Sequence, residues 1–248
     1  MIIKSLHDLF RKANCSETRI EQLQELVNLE NETLCAAVAL HPNCNRFLLE
    51  KLLKLDMSEV KKNLLRRYST YPSLYSLNVR EVKVNDAEYI HKLRTDVSLS
   101  KYISTVNDDV EDQRQYIIKY LNDNTEKRIS FYFILENSTT GKRCGTVRIY
   151  NFNDDVFEWG SWILDGNKSR YAAMETAILI YEFAFNVLGF DRSEFKVNKR
   201  NEKVISYHKK SGAKIIRQDE YNFYFSIQKE ISLQFSNTLR KKLKSKFP

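Results

Sequence analysis

The sequence predicts an α+β (α/β) fold, a sheet with helices on its faces, preceded by a small all-α segment. Three observations carry this reading. Residues 1–70 are almost continuous helical text. From residue 76 onward, short strand-like runs alternate with helical ones. One helical pattern, 170–189, is long and apolar and stops on Gly189, a good residue just past a helix end. The chain has 248 residues, 42% hydrophobic and 29% charged, with 6 Gly and 3 Pro. That is enough for one large domain or a modest domain plus a small one, with a core that needs no staples.

The helical text has a pattern of its own. Ile20, Leu23, Leu26 and Val27 share one face at helical spacing, as do Leu48, Leu49, Leu52 and Leu55. Residues 14–26 and 43–55 align at an offset of 29, with Asn-Cys at the start of both. Asn14, Ser16, Asn43 and Asn45 are expected as N-cap or turn residues. Further helical pieces are expected at 32–41 and 58–67. This resembles HEAT-like and leucine-rich-variant helical repeats. Two copies are few for a free-standing solenoid, so residues 1–70 are expected to pack on the rest of the chain or on a protein partner. A plain helical cap is the alternative. The stretch "STYPSLYS" (69–76) reads as the boundary.

The alternating text is read in order. A strand is expected over 76–84, a helix over 85–95, and a helix over 109–123 with Tyr116, Ile117 and Leu121 on one face. Strands follow over 128–137, 143–152 and 155–165, the last two joined by an "NDD" turn. After the long helix come a strand (192–197), a helix (201–210) and strands at 213–218 and 221–230. The expected organisation is a helical segment at 1–70, a linker at 71–76, an α+β domain at 77–230 and a basic tail at 231–248.

The net charge of +8 points to an anionic partner without choosing between nucleic acid and a phosphorylated cofactor. Much of the excess lies in Arg240, Lys241, Lys242, Lys244 and Lys246, expected as a frayed, solvated end. Nucleic acid is not expected as the main partner, because the basic residues form no stripe interleaved with aromatics. Cys15, Cys35, Cys44 and Cys144 show no C-x-x-C spacing and read as free, mostly buried thiols, which implies a reducing compartment. No signal peptide and no spanning helix are recognised, so a soluble, cytoplasmic protein with no membrane contact is expected.

Three local patterns, with this element order, resemble the GNAT superfamily of acyl-CoA N-acetyltransferases over about residues 76–230. The first is "NEKVISYHKKSGAK". Its Asn201, Val204, Ile205, His208, Lys210, Gly212 and Ala213 fall on a helix motif between two strands. The second is "FEWGSWILD", where Glu158 and Gly160 match a Glu-bearing strand beside the acyl donor. The third is "KSRYAA" at the start of the long helix, similar to a pyrophosphate loop, with Tyr171 where the first Gly is expected. The resemblance implies a mixed, mainly antiparallel central sheet with flanking helices. It implies acetyl-CoA as co-substrate and no metal. The donor would be held by Ile163, Lys168, Ser169, Arg170, Tyr171, Ala172, Ala173 and Asn201. A helix N-terminus with free N–H groups, beside Lys168 and Arg170, suits a phosphate.

Acetyl transfer to an amine needs a base, an oxyanion donor and help for the leaving thiolate. Glu158 is the expected base, acting through water, and a backbone N–H of 159–163 the expected oxyanion donor. His208 falls where many members of the superfamily carry a sulfur-facing Tyr, so it is the acid candidate. Tyr207 takes that place if the register slips by one. Amino-sugar N-acetyltransferases and ribosomal-protein N-terminal acetyltransferases are the similar groups, implying a small-molecule amine or a protein N-terminus as acceptor. Arg94, Lys101, Tyr102 and Trp162 are the acceptor-side candidates. The alternative is a GNAT-like module without catalysis that uses its helical repeats for protein interaction.

Overall fold

A computed structural model describes residues 5–127 and 129–247. Positions 1–4 of the expected helical segment, Arg128 of the expected strand and Pro248 of the tail lie outside the described residues. The chain divides into two units, Met1–Tyr71 with Phe183–Asp191, and Pro72–Glu182 with Arg192–Pro248.

The first unit holds five helices: α1 (Leu6–Ala13), α2 (Ile20–Asn28), α3 (Glu32–Leu40), α4 (Arg46–Leu53) and α5 (Ser58–Tyr68). Asn31 and Asn45 are N-caps, accepting from the N–H of Leu34 and Leu48. Asn14 instead closes α1 as its C-cap. That corrects the expected repeat. The Asn-Cys match at 29 sets a helix end against a turn, whereas the helices start at 20 and 46, and at 32 and 58, an offset of 26. At this spacing Leu23 and Leu49, Leu26 and Leu52, Leu34 and Val60, and Val38 and Leu64 coincide, and all are buried.

Arg67 organises this unit. It is 8% exposed and donates to the carbonyls of Ala39, His41, Cys44, Asn186 and Val187. A buried guanidinium without a carboxylate is tolerable only when its donors are so consumed. Gly189 meets two demands beyond the helix stop that was expected. Its φ is +76°, and a Cβ there would lie 2.6 Å from the backbone N of Arg46, which bonds to its carbonyl.

The second unit is built on a seven-stranded sheet. In chain order it runs β1 (Leu77–Glu81), α6 (Ala87–Thr95), α7 (Val97–Ser100), α8 (Val110–Lys127), β2 (Phe131–Asn137), β3 (Arg143–Asn153), β4 (Val156–Leu164), α9 (Ala172–Glu182), β5 (Arg192–Asn198), α10 (Glu202–Lys210), β6 (Lys214–Gln218), β7 (Asn222–Gln228) and α11 (Lys229–Lys244). The strand order is β1-β2-β3-β4-β5-β7-β6. Every neighbouring pair is antiparallel except β4 with β5. This is the expected α+β class with its mainly antiparallel sheet. Phe131–Leu135 of β2 are all buried, so this strand is covered on both faces.

Two expectations are corrected here. The helix expected over 170–189 is α-helical only over Ala172–Glu182, and Phe183–Val187 takes a π-helical turn. The expected frayed tail is helix α11. Leu239 and Leu243, four apart, are buried against Ile178, and Arg240 pairs with Glu182 at 2.7 Å. The density of Lys and Arg hid this apolar stripe.

Candidate active site

β4 and β5 pair only at Val156 with Arg192 and at Phe157 with Ser193. Past that point the β5-facing edge of β4 has no strand partner among the described residues, and a cleft of about 460 Å³ opens beside it. A bulge in β4 shapes the wall. Thr146 pairs with Ile163 and Arg148 with Gly160, so β4 carries an extra residue there, and Ser161 sits at φ +49°. Gly160, Ser161 and Trp162 therefore line the cleft. Ile163 does not; it is 3% exposed and turned into the core.

Glu158 lines the same cleft. Its carboxylate accepts from the Tyr150 hydroxyl at 3.1 Å and from Asn151 Nδ2 at 2.9 Å. Neither residue was singled out in the sequence. Counting outward from the "NDD" turn pairs Tyr150 with Glu158, and the ladder has this pairing. Trp162 contributes an indole N–H that is buried with no partner among the described residues.

His208 on α10 forms the opposite wall. It is 2% exposed among Phe195, Trp159, Tyr207 and Phe225, with the Phe195 ring centroid 4.2 Å away. Burial pushes its pKa down to about 3, because charging it there costs more than in water. It is therefore neutral near pH 7 and not a charged acid, and its Nδ1 has no partner among the described residues. Tyr207, one residue earlier, points to Phe235 instead and lies outside the cleft lining. Burial raises its pKa. Asn201 caps α10, accepting from Val204 N–H at 3.4 Å, and reaches the cleft. Tyr102 also lines it, donating to the Arg200 carbonyl at 3.0 Å.

The loop before α9 presents Lys168 and Arg170, both exposed, with α9 starting at Ala172 and followed by Ala173. The Ser169 hydroxyl is taken up by Ser76, which also bonds both oxygens of the buried Glu175. Tyr171 places its ring edge-on to Phe247, 5.6 Å between centroids, in contact with the C-terminal end of the chain. Arg94 is apart from this cleft. It lines a second cavity of about 430 Å³, next to the first through Ser104, with Gln113, Tyr116 and Arg148. Lys101 lies over the Tyr102 ring.

Comparison with known proteins gives this geometry a family. The profile described as "Acetyltransferase (GNAT) domain" matches residues 76–214. Spermidine N(1)-acetyltransferase of Escherichia coli K12 is 24% identical over 172 residues, 68% of this chain and 86% of its own length. The apo structure of FdhC, a nucleotide-linked sugar GNAT, is 38% identical, with a TM-score of 0.62 over 66% of this chain and 93% of that one. A spermidine N-acetyltransferase from Vibrio cholerae, solved with CoA and spermine, is 14% identical and shares the fold, with a TM-score of 0.55 over 64% of this chain and 98% of that one. With the family profile covering more than half of its length, this chain belongs to the GNAT family of N-acetyltransferases.

Proposed function

We propose that the protein transfers an acetyl group from acetyl-CoA to a primary amine, by direct attack of the amine on the thioester. The observation that carries this is the convergence of Glu158, Trp162, Asn201 and His208 on the one cleft opened by the β4/β5 splay. Acetyl-CoA supplies the activated acyl group. Glu158, held by Tyr150 and Asn151, takes the amine proton through water. Backbone N–H groups at Ser161 and Trp162, on the unpaired edge of β4, stabilise the developing oxyanion. His208, neutral, offers a hydrogen bond to the departing sulfur rather than a charged acid. Lys168, Arg170 and the first turn of α9 (Ala172, Ala173) hold the diphosphate of the donor. The Tyr171 ring packs edge-on to Phe247 and also lies under the Arg170 guanidinium, 5.6 Å from its centroid, so it stays beside the proposed diphosphate site.

An amino-sugar nucleotide is the favoured acceptor class, with a protein N-terminus second, because the nucleotide-linked sugar enzyme is the more similar of these relatives. Residues 1–70 are proposed as a separate helical segment that meets a protein partner or packs within the chain. Leu6, Phe10, Leu29, Leu40, Phe47 and Leu65 are exposed large apolar side chains of this segment. The buried thiols Cys44 and Cys144, each pushed up to about 12 by burial, are protonated and fit a cytoplasmic protein. No helix among the described residues is long and apolar enough to cross a membrane. Calorimetry with acetyl-CoA, followed by turnover on a panel of amines and UDP- or dTDP-amino sugars, tests the reading. Absence of acetyl-CoA binding sinks it.

A further inference from the structure

The second cavity contains donors that the fold leaves unused. Arg148 makes no ion pair among the described residues. Its guanidinium lies over the rings of Tyr116, Tyr132 and Tyr150, at 5.5, 5.0 and 5.3 Å from their centroids. Those rings offer the guanidinium no strong hydrogen-bond acceptor, and its buried Nε has no partner among the described residues. Gln113, 7% exposed on α8, has a buried amide nitrogen that also lacks a partner. Arg94 gives one nitrogen to the Ser104 carbonyl and hydroxyl at 3.0 Å and meets no carboxylate among the described residues. Buried donors left without acceptors carry a penalty that a native protein retains only for a reason. The carboxylates in the lining, Asp109 and Asp112, are exposed at the rim and already accept from Glu111 N–H and Asn107 Nδ2.

We propose that Arg94, Gln113 and Arg148 form an anion pocket that holds a phosphate group carried by the amine acceptor, as in a nucleoside-diphosphate-linked amino sugar. The inference rests on the acetyl-transfer reading for where the amine goes. Arg148 stacks on Tyr150, and Tyr150 bonds Glu158, so the pocket lies about one tyrosine side chain from the proposed base. Two guanidiniums without carboxylate partners repel a polycation such as spermidine. A phosphate supplies acceptors for all three side chains, and Arg can engage it through two parallel bonds.

The test is titration with UDP, and separately with inorganic pyrophosphate, in saturating CoA so that the diphosphate site of the donor is filled. UDP is expected to bind the full-length protein, and Arg148→Met and Gln113→Leu to weaken it at least tenfold while leaving CoA affinity unchanged. Arg148→Lys, which keeps the charge, guards against a variant that fails to fold and is expected to weaken UDP by a smaller factor. Pyrophosphate binding lost in the same variants assigns the pocket to phosphate itself; pyrophosphate that does not bind while UDP does, with the same loss, assigns it to the nucleoside-linked form. UDP affinity unchanged in all the variants overturns the proposal, as does spermidine binding in place of UDP. CoA binding without any UDP response removes the pocket alone. UDP binding without CoA binding removes the acetyl-transfer reading and leaves the pocket standing.

Discussion

Arg67 and Arg148 are two arginines with buried donor edges and opposite fates. Arg67, in the helical unit, gives its donors to five backbone carbonyls and has nothing left to offer. Arg148, in the sheet unit, lies on three tyrosine rings and keeps a buried N–H unpaired. One guanidinium finishes a core. The other is held in position with its hydrogen-bonding edge vacant. Residue type does not separate the two; the account of each donor does, and it is the ground for proposing that Arg148 faces a ligand.

The sharpest way to break the comparison is Arg67→Met. It strands several buried carbonyls, and the expected loss is about 3–5 kcal/mol in the helical unit's unfolding transition, read by denaturant titration. Arg148→Met is expected to leave that transition nearly unmoved; equal losses would erase the distinction. Glu158→Gln is the intermediate case, a carboxylate partly satisfied by Tyr150 and Asn151. Its kcat is expected to fall about 10²-fold or more at unchanged thermal stability. An unchanged kcat would reduce Glu158 to a strand residue.

His208 sharpens the same question through pH. Its folded-state pKa of about 3 lies below the ordinary value of about 6.5. Between these values the unfolded chain holds a proton that the folded chain does not. Stability from this group is complete above about pH 6.5 and declines as pH falls toward 3, by about 1.4 kcal/mol per pH unit. In His208→Phe that slope is expected to flatten, measured as melting temperature between pH 7 and pH 5. A slope identical to the wild type would mean the imidazole is not held neutral. Phe247→Ala has a small expected effect, about 1 kcal/mol, from its ring contacts with Tyr171 and Tyr75. A much larger loss would mean that the terminal contact anchors all of α11.

The order of the main strands and helices was legible because hydrophobic periodicity reports on which face of an element is buried. That Glu158, Asn201 and His208 would come together was legible as well, since each stands at a fixed place in a local motif and all three line one cleft. Four features were not. The state of His208 depends on Phe195 and Phe225, aromatics from distant strands. The Ser161 bulge depends on how β3 and β4 count against each other. The helix α11 was masked by its own lysines. The proposed role of Arg148 follows from which acceptors are missing, and a missing acceptor leaves no mark in a sequence.

The β3–β4 hairpin has one more consequence. Arg148 and Tyr150 are two residues apart on one strand and so share a face, while Tyr150 is paired with Glu158 across the ladder. Proposed anchor and proposed base are thus graduations on one ruler whose spacing is set by backbone pairing. Acceptor length would then be measured by the sheet rather than by a loop, and could be altered only in steps of a strand repeat. Gly160 keeps the ruler true: a Cβ there would come within 2.7 Å of the Tyr150 hydroxyl. Even alanine would push that tyrosine off its mark.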